Sequence, residues 1–196
     1  MGDRLEADVH IVTAAYSTVQ KVRSCIDRAG YLSNGIMLKT LASTFSVVHQ
    51  DELELGSIVI DLGAGTTDVL VLLKGAHVCP ASIQAGGNLV TNDIAIVKGI
   101  SVANAEKIKI ESGCCWYDGI NVDSEVIIPG VGGRAPEAKT KSQICSIIPP
   151  RMEEIFTMVR KAVMQNSQIK QLSGNIILTG GGALMEGVVE LAQAIF

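Results

Sequence analysis

Along this chain the spacing of apolar residues switches between a period of two and one near 3.6, and that switching predicts the elements. The β-branched alternation of residues 8–14 (DVHIVTA) predicts a strand. Ser17 then stands as an N-cap with Gln20 three positions on. Val19, Val22, Ile26 and Ala29 keep one helical face, and Gly30 supplies the stop. A short strand is expected at residues 36–39 and a helix from Leu41 to about Gln50, with the acidic run DELELG as a junction. In residues 57–73 (SIVIDLGAGTTDVLVLL) the runs Ile58-Val59-Ile60 and Val69-Leu70-Val71-Leu72 flank an acid, two glycines and two threonines. With a Lys74-Gly75 turn and a third strand near residues 77–84 they predict an antiparallel meander, one half of a mixed sheet.

Gly86-Gly87 breaks the meander, and a helix is expected from Asn88 to about Lys98. Ser101 can cap a further helix to Glu111, with Gly113 as its stop. Residues 114–138 read as loop with one strand, EVIIPG, and turn material in GVGG. Pro149-Pro150 open a helix on which Met152, Ile155, Phe156, Val159 and Val163 recur at three and four. The closing NIILTGGGALMEGVVELAQAIF reads as a strand, three glycines and a helix.

Composition narrows the function classes. Hydrophobic residues are 47% of 196, enough to bury a core, yet no apolar run reaches the roughly 18 residues of a spanning helix. A net charge of −4 and 4% aromatics argue against nucleic-acid binding. Five cysteines without CxxC spacing and three scattered histidines argue for reduced structural thiols and against a zinc site. The first residues lack the basic and apolar regions of a secretory signal, so a cytosolic chain is expected.

Candidate chemistry sits on the glycine turns. The run from Gly63 lacks the third glycine of the dinucleotide fingerprint and is followed by a strand where that fingerprint needs a helix. A strand-loop-strand phosphate clamp fits this context: Gly63, Ala64 and Gly65 let backbone amides approach an anion, and Thr66 and Thr67 add hydroxyls. Asp61 could hold a magnesium ion through water. A plain hairpin turn remains the alternative. Gly180, Gly181 and Gly182 lie between a strand and a helix, about 120 residues further on. Glu106 and Lys109, three apart on one helix face, could grip ribose hydroxyls or be only a solvated ion pair.

Taken together, DLGAGTTD, GGNLVTNDIA, AEKIKIESG, PGVGGRAP, PPRMEEIFTMVRKAV and ILTGGGALMEG resemble the actin-like ATPase superfamily and, within it, the FtsA family of bacterial division proteins. RLEADVHIVTA and ASTFSVV extend the resemblance over nearly the whole chain. It implies an actin-like (ribonuclease H-like) α/β lobe with a mixed sheet and flanking helices, plus a smaller α/β partner-binding subdomain. Residues 1–40 would end an FtsA-specific subdomain, 41–55 connect, 56–86 and 171–196 form the second-lobe core, and 87–170 form the inserted partner subdomain.

By the same resemblance Asp61, Gly63, Ala64, Gly65, Thr66 and Thr67 match the second phosphate loop, and Gly86 and Gly87 the pair beneath the phosphates. Glu106 and Lys109 match the ribose contacts, and Gly180, Gly181, Gly182 and Ala183 the adenosine motif. ATP and Mg2+ are the implied cofactors. The implied role is a scaffold that tethers FtsZ filaments to the inner face of the cell membrane at the division site, and self-associates into actin-like filaments. Arg151 opposes the helix macrodipole at its own N-terminus, which suggests a contact elsewhere, though a neutral surface arginine would look the same. By resemblance Arg151 and Glu154 match positions that bind the FtsZ C-terminal tail.

Three departures from the family pattern shape the expectations. Ala64 replaces a glycine. Lys39-Thr40 stands where relatives carry Glu-Pro, an acid that helps position attacking water, so hydrolysis is weakened. Residues 1–56 hold no first phosphate loop, and no C-terminal membrane helix is found before Phe196. A fragment with weak or absent ATP binding is therefore expected. The alternatives are an active ATPase or phosphotransferase of the same superfamily, or a small protein reusing half the fold.

Overall fold

The computed structural model describes residues 9, 11–73, 75–118, 121, 123–130, 132–165 and 174–196. In chain order these form helices α1 (Tyr16–Arg28), α2 (Lys39–Val47) and α3 (Gln50–Leu55), then strands β1 (Ser57–Leu62), β2 (Thr67–Leu73) and β3 (Ala76–Ile83). Helices α4 (Gly87–Lys98) and α5 (Val102–Ser112) follow, then β4 (Glu125–Ile128), β5 (Glu137–Thr140), α6 (Lys141–Cys145) and α7 (Ile148–Met164). The chain closes with β6 (Ile176–Thr179), a 3-10 turn at Gly181–Leu184, and α8 (Val188–Ile195).

The main sheet runs β3-β2-β1-β6. β1 pairs antiparallel with β2, from Ser57 opposite Leu72 to Leu62 opposite Thr67, and parallel with β6, from Ile58 beside Ile176 to Asp61 beside Thr179. The meander and its mixed sheet thus stand as expected. Every residue of β1 is buried because both faces of the sheet are covered, which explains its continuous apolar run. One face, with Ile58, Ile60, Val69 and Val71, packs on Val90 and Ile94 of α4, Phe156 and Val159 of α7 and Leu191 of α8. The other, with Val59, Leu70 and Leu72, packs on Val47, Val48 and Leu53. A separate cluster joins Ile108, Val126, Ile128 and Ile144 beside the two-stranded β4-β5 sheet.

The apolar face expected after Pro149-Pro150 is the one that α7 buries: Met152, Ile155, Phe156, Val159 and Val163. Ser101 caps α5, accepting from the Asn104 amide at 3.3 Å. The N-terminal readings need correction. Among residues 9 and 11–15 there is no strand, and Asp8 and His10 lie outside the described residues. Val9, Ile11 and Val12 are exposed and no strand among the described residues pairs with them, so β-branching alone does not make a strand here. Ala15, without a side-chain cap bond, begins α1 in place of Ser17, and α1 buries no residue.

Residues 36–38 are irregular and Lys39 opens α2. The single helix expected from Leu41 is two, separated at Val48-His49, and the supposed junction is α3. The His49 amide donates to Glu52 Oε2 at 2.8 Å, half of a capping box that restarts the helix. The expectation of reduced thiols is corrected too: Cys114 and Cys145, 31 residues apart, form a disulfide. Cys115 is free and buried, and burial followed by the charge of Glu190 pushes its thiol up to about 12, so it is an inert thiol. No helix among the described residues is long and apolar enough to cross a membrane.

Candidate functional site

Parallel strands β1 and β6 end on the same edge of the sheet, and a crevice outside the carboxyl ends of parallel strands is where open α/β sheets bind ligands. Two turns shape this one. After Leu62 the chain closes tightly, with the Gly63 amide donating to Thr66 O at 3.0 Å. After Thr179 it turns through Gly180 at φ +85°. A Cβ on Gly180 would lie 2.5 Å from Asp61 Oδ1 and 2.7 Å from Leu62 O, so glycine alone lets β6 turn across the end of β1.

The start of α4 forms the next wall. The Gly87 amide donates to Gly63 O at 2.9 Å and the Asn88 amide to Ala64 O at 2.8 Å, so the loop carbonyls cap this helix. A Cβ on Gly86 would meet those two carbonyl oxygens at 2.6 and 2.7 Å, the close approach that requires glycine there. Thr67 Oγ1 donates to Ala85 O at 2.8 Å and Thr66 Oγ1 to Asp68 Oδ2 at 3.2 Å. Both threonine hydroxyls therefore already have partners inside the protein.

α5 supplies the third wall. Lys109 Nζ lies 2.7 Å from Glu106 Oε2 and donates to Gly87 O at 3.1 Å and Thr91 Oγ1 at 2.9 Å. The Thr91 hydroxyl also hydrogen-bonds Glu106. Burial disfavours the Glu106 carboxylate, but hydrogen bonds from Lys109 and Thr91 and the Lys109 charge hold it below the usual range. The Lys109 side chain is 11% exposed, so this is no solvated surface pair. Met152 and Ile155 of α7, with Leu184 and Met185, complete an apolar side to the pocket, whose volume is about 290 Å³.

Of the residues singled out by sequence, Gly63, Ala64, Thr67, Gly86, Gly87, Glu106, Lys109, Gly181 and Gly182 line this pocket. Asp61, Gly65, Thr66, Gly180 and Ala183 belong to the same turns without lining it. Sequence reasoning missed Thr91, which bridges α4 to α5, and Asp68. It noted Lys39 only as a departure. Magnesium at Asp61 does not fit the residues present, because the Lys39 ammonium sits 3.2 Å from Asp61 Oδ2 and 2.6 Å from Asp68 Oδ2.

Arg151 and Glu154 lie elsewhere, in a shallow groove between α4 and α7 that includes Ile96 and Val97. The contact that the misplaced arginine suggested is Asp93 on α4: Nε reaches Oδ2 at 2.7 Å and Nη2 reaches Oδ1 at 3.1 Å, a bidentate pair. Nη1 also bonds Glu154. Ile96 and Val97 beside them are 79% and 61% exposed.

Comparison with known proteins adds the family. The family described as "Cell division protein FtsA" matches residues 58–196. Curated FtsA proteins of Pseudomonas aeruginosa and of Neisseria meningitidis serogroup B are 38% identical over 195 residues and 40% identical over 196. FtsA of Escherichia coli K12 is 34% identical over 202 residues. Each match covers all of this chain but 47–48% of the relative, so the chain spans about half their length.

Among solved structures, MreB5 of Spiroplasma citri bound to ADP superposes with a TM-score of 0.78 at 19% identity, over 93% of this chain and 59% of that one. The PilM-PilN type IV pilus biogenesis complex follows with 0.66 at 17%, over 90% and 45%. These shared actin-like folds agree with a mixed sheet whose glycine turns meet at one edge. With the family match and the whole-chain identities, they establish that the chain belongs to the FtsA family of cell-division proteins on an actin-like α/β fold.

Proposed function

We propose that this chain provides the adenine-nucleotide-facing lobe and the partner surface of an FtsA-type scaffold. In that reading it links FtsZ filaments to the inner face of the cell membrane at the division site and assembles into actin-like filaments with its nucleotide bound. The observation that carries the reading is the convergence of three glycine turns and the Glu106–Lys109 pair on one pocket at the sheet edge. The apolar side formed by Met152, Ile155 and Met185 suits a purine base. Glu106, 42% exposed on its side chain and ionised, accepts ribose hydroxyls. Lys109 spends its three donors on Gly87, Thr91 and Glu106, so its role is to position Glu106. The phosphates would rest on Gly63 and Ala64 above Gly86 and Gly87, with Gly181 and Gly182 on the adenosine side.

Affinity is expected to be weak, since the Gly87 and Asn88 amides and both threonine hydroxyls are already engaged. Calorimetry should give a Kd for ATP of about 0.1–1 mM. Glu106→Gln should weaken it about tenfold, the loss of one charge-assisted hydrogen bond. No heat at millimolar ATP would sink the nucleotide reading, and low-micromolar affinity would show that the engaged donors are released on binding.

For the partner surface, the Arg151–Asp93–Glu154 cluster beside exposed Ile96 and Val97 offers the FtsZ tail a guanidinium edge with N–H donors beyond those its two acids use, and an apolar strip. Arg151→Glu places an acid against Asp93 and Glu154 and should lower affinity for an FtsZ tail peptide more than about tenfold in fluorescence anisotropy. Unchanged affinity would refute this assignment. Under this reading nucleotide favours the assembling conformation and is not turned over. Steady phosphate release abolished by Asp61→Ala would instead favour an active ATPase.

A further inference from the structure

The proposed function leaves Lys39 unexplained. This residue opens α2, and its side chain reaches the adjacent ends of β1 and β2, placing Nζ 2.6 Å from Asp68 Oδ2 and 3.2 Å from Asp61 Oδ2. Both acids are largely enclosed, with side chains 11% and 13% exposed, and a pair of enclosed carboxylates needs a positive partner. The hydrogen bond to Asp68 raises the Lys39 pKa above its ordinary value against partial burial. Burial works against the Asp68 carboxylate, but the Lys39 hydrogen bond, then Ser82, the Lys39 charge and Thr66, hold it below the usual range. The ammonium also borders the loop after β1, since a Cβ on Gly63 would lie 3.8 Å from Nζ.

A hydrated divalent ion bridging the two acids would do the same work, donating hydrogen bonds through its waters and placing positive charge under the loop. It would need the same oxygens. Oδ1 of Asp61 faces Gly180, where a Cβ would come within 2.5 Å of it, and Oδ2 of each acid is taken by Nζ. Among the described residues no group of three or more His, Cys, Asp or Glu side chains could hold a metal instead. An ammonium carries three donors, of which these acids use two.

We propose that Lys39 is a protein-borne substitute for the divalent cation at this corner: it neutralises Asp61 and Asp68, fixes the turn after β1, and leaves anion binding beside Gly63 independent of magnesium. The first test needs no nucleotide. Mn2+ is titrated against the protein and followed by electron paramagnetic resonance, in the unsubstituted chain, Lys39→Met, Lys39→Gln, Asp61→Asn and Lys39→Met/Asp61→Asn, with circular dichroism to confirm folding.

The unsubstituted chain should bind no Mn2+ that Asp61→Asn removes. The Lys39 variants should each gain one site with a Kd on the order of 1 mM, the weak end for oxygen-ligated ions. Asp61→Asn in the Lys39→Met background should erase it. An Asp61-dependent Mn2+ site in the unsubstituted chain overturns the proposal, and that measurement stands even if the Lys39 variants fail to fold. Folded Lys39 variants that gain no site overturn it too.

The second test rests on the nucleotide reading. ATP affinity of the unsubstituted chain should change less than about threefold between excess magnesium and excess EDTA, whereas Lys39→Met should become at least about tenfold magnesium-dependent. A tenfold magnesium dependence in the unsubstituted chain overturns the proposal. Absence of ATP binding in both buffers would sink the nucleotide reading alone, because the Mn2+ titration still decides the role of Lys39.

Discussion

Replacing Gly180 by alanine is expected to destabilise the chain by about 2–5 kcal/mol, from two additive causes. The residue sits at φ +85° and ψ 172°, an extended positive-φ region essentially restricted to glycine, where an L side chain costs at least about 1–2 kcal/mol. Its new methyl would also press at 2.5 Å on Asp61 Oδ1 and at 2.7 Å on Leu62 O. The second contact is backbone of the central strand and cannot swing aside, so overpacking adds about 1–3 kcal/mol. With a urea slope of about 2 kcal/mol per M, the unfolding midpoint should fall by roughly 1–2.5 M. Gly181→Ala is the matched control: nothing lies within 4 Å of its Cβ, and the midpoint should stay within about 0.3 M. Equal effects at the two glycines would mean that the turn yields and that the close approach to β1 is not a constraint.

Phe156→Ala carries the other large effect. Phe156 is fully buried at the middle of α7, among the largest enclosed side chains, and meets Phe196 edge to face with ring centroids 6.1 Å apart. Truncation removes its apolar burial, leaves a cavity between α7 and the sheet, and strands one ring of the pair, at a cost of about 3–5 kcal/mol. For a chain of this length that is a melting temperature lower by roughly 6–20 °C. Met158, two positions on and 40% exposed, should tolerate alanine with a change of about 0.5 kcal/mol or less. A Phe156→Ala protein that melts within about 3 °C of its parent would show that the α7 interface closes over the gap.

How much the sequence discloses depends on how local the cause is. The meander, α4, α5 and α7 are legible because each has its own period, cap or breaker: Ser101 before α5, Gly86 before α4, Pro149 within the first turn of α7. β5 (EAKT) is polar and largely exposed, so it has no periodic signature and exists through its pairing with β4. The break between α2 and α3 hides because histidine is an unusual capping residue. The run 8–14 misleads in the opposite sense: it offers β-branched side chains, yet at residues 9 and 11–14 no strand forms and no partner strand is found among the described residues.

The site divides in the same way. Its glycines announce themselves, since Gly180 and Gly86 answer steric demands of the local backbone. Thr91 and Lys39 do not, because each acquires its partners only when separate elements come together. The anomalous charge of Arg151 marks a middle case: the conflict with its own helix is visible in sequence, but the identity of Asp93 as its partner is set by the packing of α4 on α7.

The parallel pairing of β1 with β6 also constrains the order in which the molecule can be made. β1 gains its antiparallel neighbour almost at once, but its other edge waits for residues more than 110 positions downstream. At about 5–20 residues per second, a ribosome leaves that edge open for roughly 6–22 s. During that interval Ile58 and Ile60 lie on a mostly apolar strand with one open edge, the kind of surface that other chains can add to. Conditions that slow elongation between α4 and β6 should therefore raise the aggregated fraction without altering the finished protein, leaving yield, more than stability, sensitive to the speed of synthesis.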